Sequence, residues 1–158
     1  MALLNIVTYP DPLLRKKSRP VTGITPRILQ LLDDMRDTLH NAQGVGLAAV
    51  QVGVLRRIVI VETEPGQLYE MINPEILSKS KKTQINNEGC LSVPDKWGQT
   101  ERAMTVKVRY TDRNGKEQTL NAEGFLAQAI QHELDHLEGI IFTDVAIHML
   151  TEEELNGD

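Results

Sequence analysis

Apolar residues in the first third of the chain repeat at the spacing of one helix face. The repeat consists of Ile28, Leu31, Leu32, Met35 and Leu39. Side chains three or four positions apart share a face of an α-helix. Thr25 precedes the repeat as an N-cap, and Pro26 takes the first helical position, where its missing N–H costs nothing. The pattern predicts an amphipathic helix from residue 26 to about residue 40.

Strands are predicted where β-branched residues cluster or alternate with polar ones. The first two lie over residues 57–61 and 71–72, and the turn-forming segment 64–66 separates them. After Pro74 we expect only shorter extended pieces. Val106, Val108 and Tyr110 then alternate with polar residues, and the Asn-Gly pair at 114–115 predicts a β-hairpin with the run that follows.

A second helix is predicted from about residue 124 to Gly139, a residue suited to a left-handed C-terminal cap. At about 100° per residue, its side chains divide into three arcs. The arcs are Phe125, Ala129, His132 and His136; Leu126, Ile130, Leu134 and Leu137; and a more polar remainder of Gln128, Gln131, Asp135 and Glu138. A plain surface helix has no reason to place two histidines beside its apolar stripe, so this helix is predicted to carry a site.

A short helix is predicted at the end of the chain. Thr151 and Glu154 have the spacing of a capping box, in which each side chain bonds the backbone at the other position. At most two helical turns fit after Thr151.

The composition is that of a globular domain and excludes several classes of protein. Of 158 residues, 41% are hydrophobic and 25% are charged, which suits a chain that buries a core without disulfides. No apolar run is long enough for a membrane span, and the net charge of −5 comes without a basic stripe for nucleic acid. We expect no signal peptide, because the start is too short and uncharged for one, and the single cysteine forms no internal disulfide. We expect one domain over residues 1–158, in the cytoplasm, without membrane or nucleic-acid partners.

Two histidines four positions apart on the second helix are candidate metal ligands. His132 and His136 can offer neutral ring nitrogens to one cation, and Glu133 can reach a water on that cation without being a ligand. A catalytic site usually has three protein ligands and one open position. Cys90, the only thiol, is the candidate for the third. The alternatives are two hydrogen-bonded histidines and a cysteine that fills the core as a small hydrophobe.

A run of small residues over 44–53 is the other concentrated signal. It brackets Gln51 and leads into an apolar stretch. One interpretation is a tight turn packed under a sheet, since glycine supplies unusual backbone angles. The other is backbone exposed beside a substrate, with Gln51 as an amide donor. A phosphate-binding loop is excluded because no Gly-Lys-Ser/Thr follows.

Taken in order, the segments 44–51, 88–92 and 131–136 closely resemble the three signature motifs of the peptide deformylase family. The resemblance begins near Ile6 and extends to about Asp144. It implies an α+β fold in which small antiparallel sheets pack around a central helix that carries the His-Glu-x-x-His motif. It also implies a single catalytic domain that removes the N-formyl group from the N-terminal formyl-methionine of nascent polypeptides and releases formate.

The resemblance implies a metal centre at the matching residues. Cys90, His132 and His136 would hold one divalent ion, usually Fe(II) in cells and replaceable by Zn(II), Ni(II) or Co(II). Metal-bound water would attack the formyl carbonyl, and Glu133 would act as the general acid/base.

The resemblance also implies a binding site for the substrate. Gln51 and the backbone N–H of Leu91 would bind the developing oxyanion, and Glu88 would support the site from behind. The residues that would line the peptide path are Gly44, Val45, Gly46 and Gly89. From their place on the histidine arc, Phe125 and Ala129 are predicted to line the pocket for the methionine side chain. The peptide backbone is predicted to pair as an added strand.

The chain departs from the family pattern in two places. Many bacterial members have a basic residue shortly after the second motif, where this chain has Trp97 and Gly98. Many also end in a long helix that this sequence lacks. The expected partners are N-formyl-methionyl nascent peptides with transient contact to the ribosome, but docking through such a tail is not expected.

Two other classes of protein share part of the pattern. A zinc peptidase with the same helix motif needs a third ligand downstream, where this chain offers Phe142 or the late carboxylates at 152–154. A metal-storing or structural protein usually closes its site with four protein ligands, and only three good ones are present. Both fit less well than the deformylase pattern.

Overall fold

The computed structural model describes residues 2–156, and its first long helix follows the sequence pattern. Helix α1 spans Pro26–Asn41, with Pro26 at its first position. The Thr25 hydroxyl accepts a hydrogen bond from the Ile28 N–H at 3.3 Å, as an N-cap does. The helix is therefore fixed at its start by the residues that predicted it.

Five antiparallel strands form the larger sheet, in the order β1-β2-β3-β6-β7. Their bounds are Gly46–Ala48 for β1, Ile58–Val61 for β2, Tyr69–Lys79 for β3, Thr105–Thr111 for β6 and Glu117–Glu123 for β7. The turn between β6 and β7 contains Gly115 in a left-handed conformation, and Asp112 accepts from the backbone around it. The predicted hairpin is confirmed.

Strand β3 is longer than predicted. The sequence suggested only short pieces after Pro74, but β3 continues through Pro74 to Lys79. The register with β6 shifts between Ile72 and Glu75. A bulge of this kind tolerates proline, because the missing N–H falls where the ladder is already interrupted.

Three antiparallel strands form a second sheet, in the order β4-β5-β8. Their bounds are Thr83–Cys90 for β4, Val93–Ala103 for β5 and His148–Met149 for β8. The long β4–β5 hairpin was missed from the sequence, since its residues are largely polar and do not alternate cleanly. Its closing turn lies at residues 91–92, directly after Cys90.

Helix α2 spans Gly124–Leu137 and lies between the two sheets. Val59 and Val61 of β2 share a core cluster with Ile130 and Leu137 of α2. The alternate residues of β2, Ile58 and Ile60, share another cluster with α1. Strand β2 is thus buried on both faces of the sheet, and α2 is the central helix of the predicted α+β fold.

The more polar arc of α2 is divided, because Glu138 is exposed at the end of the helix whereas Gln128 and Gln131 are buried. Gln128 and Gln131 are 3% and 4% exposed. The Gln131 side chain bonds both the N–H and the C=O of Ala103, and Gln128 donates to Glu88 on β4. These two glutamines pack against the second sheet, where hydrogen bonds satisfy their polar groups.

Two short helices complete the fold. Helix α3 spans Phe142–Val145, and helix α4 spans Glu152–Leu155, with the predicted capping box of Thr151 and Glu154. Phe142 is buried in a small cluster with Leu14, Val93 and Ile141. Within residues 2–156, no helix has the length and hydrophobicity to cross a membrane.

Gly139 is predicted to be required for folding. Its φ is +75°, and an added Cβ would lie 2.4 Å from the Arg15 carbonyl oxygen. Gly139→Ala should therefore destabilise the protein by roughly 2–4 kcal/mol in thermal or urea unfolding, through backbone strain and a clash with main chain. Gly23→Ala is the matched control, since no atom lies near its added Cβ. Equal stability of the two variants would contradict this account of the chain reversal after α2.

Candidate metal centre and active site

The second sheet and the central helix bring three potential metal ligands together. Cys90 is the last residue of β4, and His132 and His136 lie one turn apart on α2. One ligand atom from each of the three lies within 4.8 Å of the other two. The Cys90 Sγ is 3.3 Å from the His136 Nε2. The predicted convergence of residues distant in sequence is therefore present.

His132 is oriented from behind by a carboxylate. Its Nδ1 lies 2.8 Å from Glu88 Oε1, which leaves Nε2 as the nitrogen directed to the site. Phe142 stacks on one face of the His132 ring, with the two ring centroids 6.0 Å apart. A carboxylate on the far nitrogen of a metal-binding histidine fixes the ring and raises its basicity.

Glu88 is held ionised in a buried position. Arg102 donates to both of its oxygens, at 2.8 and 2.9 Å, and Thr100 donates at 2.6 Å. Burial raises the pKa of Glu88, but hydrogen bonds from Arg102 and His132 outweigh it and hold the pKa well below its ordinary value. The carboxylate is thus fully partnered and serves as a fixed negative support for His132.

Arg102 links this carboxylate back to the central helix, and sequence reasoning missed it. It is 8% exposed and also donates to Asp135 at 2.7 Å. Gly98, Thr100 and Arg102 are buried at alternate positions of β5. This alternation along β5 is the signal that could have placed Arg102 on the inner face. A single charged residue in a polar strand is ordinarily expected to be exposed, so the signal was missed.

Glu133 has a different environment from Glu88. It is 4% exposed, and Oε2 lies 4.0 Å from the His132 Nε2. Burial raises the pKa of Glu133 to about 7. Its space exists because residue 46 is glycine, since a Cβ there would lie 2.6 Å from Glu133 Oε2. A buried carboxyl that gains or loses a proton near neutral pH is suited to general acid/base chemistry.

These residues fit a divalent cation. Among residues 2–156, Glu133 Oε1 is a buried polar atom without a hydrogen-bond partner, so it is free to bond a group held beside the three ligands. Burial lowers the pKa of His136, which keeps its ring neutral as a metal ligand must be. One thiol and two imidazoles are a donor set for first-row transition metals or zinc, and three protein ligands would leave a further position for water or substrate.

Gln51 lies on the other side of the thiol. It belongs to a 3₁₀ turn over Ala49–Val52 and is 1% exposed. Its Nε2 is 3.5 Å from Cys90 Sγ and donates to the Ser92 hydroxyl at 3.0 Å. The small-residue run is thus both a tight turn under the sheet and a source of an amide at the site.

A cavity of about 500 Å³ opens onto this site. The predicted site residues that line it are Gly44, Val45, Gly46, Gln51, Glu88, Gly89, Cys90, Leu91, Phe125, Ala129, His132 and Glu133. His136 is fully buried behind them. Trp97, noted from the sequence only as a departure, also lines the cavity, and its ring covers Gly89 so closely that a Cβ would meet it at 3.0 Å.

The alternative third ligands of a zinc peptidase lie elsewhere. Phe142 is a buried aromatic residue stacked on His132, and the carboxylates at 152–154 are exposed on α4. A site of two histidines and a cysteine beside a buried glutamate, on an α+β scaffold, defines a metal-dependent hydrolase of a different kind.

Comparison with known proteins identifies the family. Residues 3–152 match the family model described as polypeptide deformylase. The peptide deformylase of Caldicellulosiruptor bescii is 50% identical over 155 residues, covering 98% of this chain and 92% of that protein. That of Halothermothrix orenii is 51% identical over 150 residues, covering 94% and 97%. The chain belongs to the polypeptide deformylase family, whose members are metal-dependent enzymes that remove the N-formyl group from nascent peptides.

Solved structures agree with this assignment and with the fold. The crystal structure of peptide deformylase from Thermotoga maritima superposes with a TM-score of 0.89 at 35% identity, covering 92% of this chain and 99% of that one. A class I type b peptide deformylase from Acinetobacter baumannii with bound Met-Ala-Ser gives a TM-score of 0.88 at 36% identity, covering 91% and 98%. The predicted fold class and activity are confirmed.

Arg102→Met is predicted to weaken both the fold and metal binding. It leaves the buried Glu88 carboxylate without its main partner, which costs about 3–5 kcal/mol, and it loosens His132, which lowers metal affinity roughly 10–100-fold. Thermal unfolding and a chelator competition titration with Zn(II) measure the two effects. The stability loss should shrink as the pH falls through the ordinary carboxyl range, because protonated Glu88 needs no cation.

Arg109→Met is the matched control for that substitution. Arg109 pairs with Glu75 at 3.2 Å, but both side chains are exposed, so the loss should stay below about 1 kcal/mol without any change in metal affinity. An unchanged metal affinity in Arg102→Met would contradict the supporting role of the Glu88 pair.

Proposed function

We propose that Cys90, His132 and His136 hold one divalent cation and that Glu133 moves the proton during deformylation of formyl-methionyl peptides. The observation that carries this proposal is the convergence of those three ligand atoms within 4.8 Å, beside a buried carboxyl with an unpartnered oxygen. A cation held there would supply Lewis-acid activation of water and of the formyl carbonyl.

We propose Fe(II) as the ion in cells, with Zn(II), Ni(II) and Co(II) as replacements. The set of one thiolate and two imidazoles accepts several first-row ions, so availability decides which is loaded. The thiolate adds negative charge that holds the ion firmly. Glu88 supports the set because its carboxylate keeps the His132 ring in one orientation.

Glu133 is proposed to accept the proton of the attacking water and return it to the leaving amine. Its Oε1 carries no hydrogen bond within the described residues, so it is free to take the proton. Its raised pKa, about 7, brings uptake and release of a proton close in free energy at neutral pH. The proton that Glu133 receives is the one the amine of methionine needs when formate leaves.

The oxyanion is proposed to be bound by the Gln51 amide and the backbone N–H of Leu91. Both residues line the cavity next to Cys90. Donors fixed before the reaction lower the barrier most when they face the oxygen that becomes charged. The low exposure of Gln51, 1%, keeps water from competing for that oxygen.

The peptide is proposed to run between two strand edges. Among the described strands, β1 lies at one edge of the larger sheet and β4 lies at one edge of the smaller sheet. Gly44, Val45 and Gly46 on one side and Gly89 on the other line the same cavity, so either backbone can pair with an extended peptide. The Met-Ala-Ser peptide in the Acinetobacter enzyme supports a tripeptide path of this kind.

The methionine side chain is proposed to enter the apolar part of the cavity at Phe125 and Ala129. Phe125 is 54% exposed at the mouth, and Ala129 is buried one turn before the histidines. At the formyl end of the substrate, the site is confined and not roomy. The space beside Gly46 and Glu133 has no room for an added methyl on residue 46, which favours the smallest acyl group.

The proposed partners are N-formyl-methionyl nascent chains, met during transient contact with the ribosome in the cytoplasm. The names of the relatives support the substrate class. We propose that residues 1–158 act as one catalytic domain, since the residues of the site come from both halves of the chain.

The proposal is tested by formate release from a formyl-methionyl-alanyl-serine peptide under anaerobic conditions. The metal-loaded protein should release formate from this peptide and should leave the acetyl-methionyl analogue intact, because acetyl carries a methyl where formyl carries hydrogen. Cleavage of an internal peptide bond, or equal deacylation of both peptides, would contradict the proposed function.

Glu133→Gln is predicted to retain about one metal ion per chain and to lose roughly 10²–10⁴-fold in turnover, because the amide cannot carry the proton. Metal analysis and the formate assay measure the two properties. Glu138→Gln is the matched control, since it removes a carboxylate from the same end of α2 at the protein surface. Near-normal turnover in Glu133→Gln would reject the proton-transfer role.

A further inference from the structure

Ser92 is a fully buried hydroxyl beside the site that has no part in the proposed mechanism. It is 0% exposed and follows Cys90 by two residues, in the turn between β4 and β5. Its Oγ accepts a hydrogen bond from the Gln51 Nε2 at 3.0 Å. The contact joins residues 41 positions apart, so it is a product of the fold and not of local sequence.

The orientation of the Gln51 amide is fixed from both ends. The Ala48 N–H donates to Gln51 Oε1 at 2.9 Å. If the amide were flipped, its NH₂ group would face the Ala48 N–H, and two donors cannot form a hydrogen bond with each other. The NH₂ group must therefore face Ser92 Oγ and Cys90 Sγ. One of its two hydrogens bonds the Ser92 hydroxyl, and the other faces the Cys90 Sγ, a weak acceptor, at 3.5 Å.

The N-terminal segment ties the same two residues together through their backbones. The Val7 N–H donates to the Gln51 carbonyl at 2.7 Å, and the Tyr9 N–H donates to the Ser92 carbonyl at 2.8 Å. Residues 7–9 thus form a strap that sets the spacing between Gln51 and Ser92. A shift of either residue relative to the other would strain one of these two main-chain hydrogen bonds.

We propose that Ser92 is a positioning residue that holds the Gln51 amide so that its second N–H points to the carbonyl oxygen of the formyl group. This inference rests on the proposed role of Gln51 as an oxyanion donor. Both side chains are almost completely buried, and the Ser92 hydroxyl is the oxygen that the Gln51 NH₂ group bonds. Without Ser92 Oγ, the amide rotates toward another acceptor, and donors that must reorganise stabilise a developing charge poorly.

Steady-state kinetics of Ser92→Ala on the metal-loaded protein tests the inference. The expected result is a fall in kcat of roughly tenfold with KM changed less than about twofold, since only the transition state carries the oxyanion. Metal content should stay at about one ion per chain, because Ser92 is not a ligand. Ser18→Ala is the control. It removes a buried hydroxyl that has no hydrogen-bond partner in residues 2–156, and it should keep normal kcat.

A double-mutant cycle with Gln51→Leu decides whether Ser92 acts through Gln51. Gln51→Leu should lower kcat roughly 10²-fold, as loss of an oxyanion donor does. Adding Ser92→Ala to that variant should lower kcat no further, because there is no amide left to orient. A full tenfold loss in both backgrounds, or normal kcat in Ser92→Ala, would overturn the inference.

The same cycle separates this inference from the proposed function. If Gln51→Leu is impaired but Ser92→Ala has its full effect alongside it, only the role of Ser92 fails. If Gln51→Leu keeps normal kcat, the oxyanion role of Gln51 fails, and the role of Ser92 falls with it. If Ser92→Ala loses its metal, the fall in kcat would come from disturbance of the ligand Cys90, and the positioning role of Ser92 would be rejected.

Discussion

The buried pairing of Glu88 with Arg102 and His132 joins the two parts of the molecule that supply the metal ligands. Glu88 precedes Cys90 on β4, Arg102 lies across the hairpin on β5, and His132 lies on α2. Ionised groups with so little exposure are tolerated only when every partner is present. The pairing therefore requires that the hairpin and the helix dock in one register, which brings the thiol to the histidines.

Two buried carboxyls beside the same histidine, His132, have opposite properties. Glu88 has cationic and hydrogen-bonding partners that keep it ionised. Glu133 is buried, one of its oxygens has no partner among residues 2–156, and its pKa rises to about 7. Their environments alone make one a fixed support and the other a proton carrier. The environment of Glu133 depends in turn on Gly46, whose missing side chain leaves the space that the Glu133 carboxyl occupies.

The sequence was most informative where periodicity and spacing are strong. Thr25 and Pro26 located the start of α1, and the spacing of His132 and His136 predicted a ligand pair on one helix face. The β4–β5 hairpin was missed because its strands are polar on both sides. Gln128 and Gln131 were placed only on a more polar side of α2, since helical periodicity ranks residues by polarity and cannot tell water from a second polar layer of protein.

The contacts that orient the site were beyond prediction for the same reason. Arg102 with Glu88, and Ser92 with Gln51, lie far apart in sequence or carry residue types that are ordinarily exposed. Only the packing of the sheets around α2 brings them together. The motifs could thus predict the residues of the chemistry, while the residues that hold them in place follow from tertiary structure.

X-ray absorption spectroscopy of the zinc-loaded protein tests the central claim most directly, because it counts the atoms around the ion. The predicted spectrum contains one sulfur at about 2.3 Å and nitrogen or oxygen atoms at about 2.0–2.1 Å, as expected for Cys90, His132, His136 and one open position. A spectrum without a sulfur neighbour would contradict the convergence of Cys90 with the two histidines.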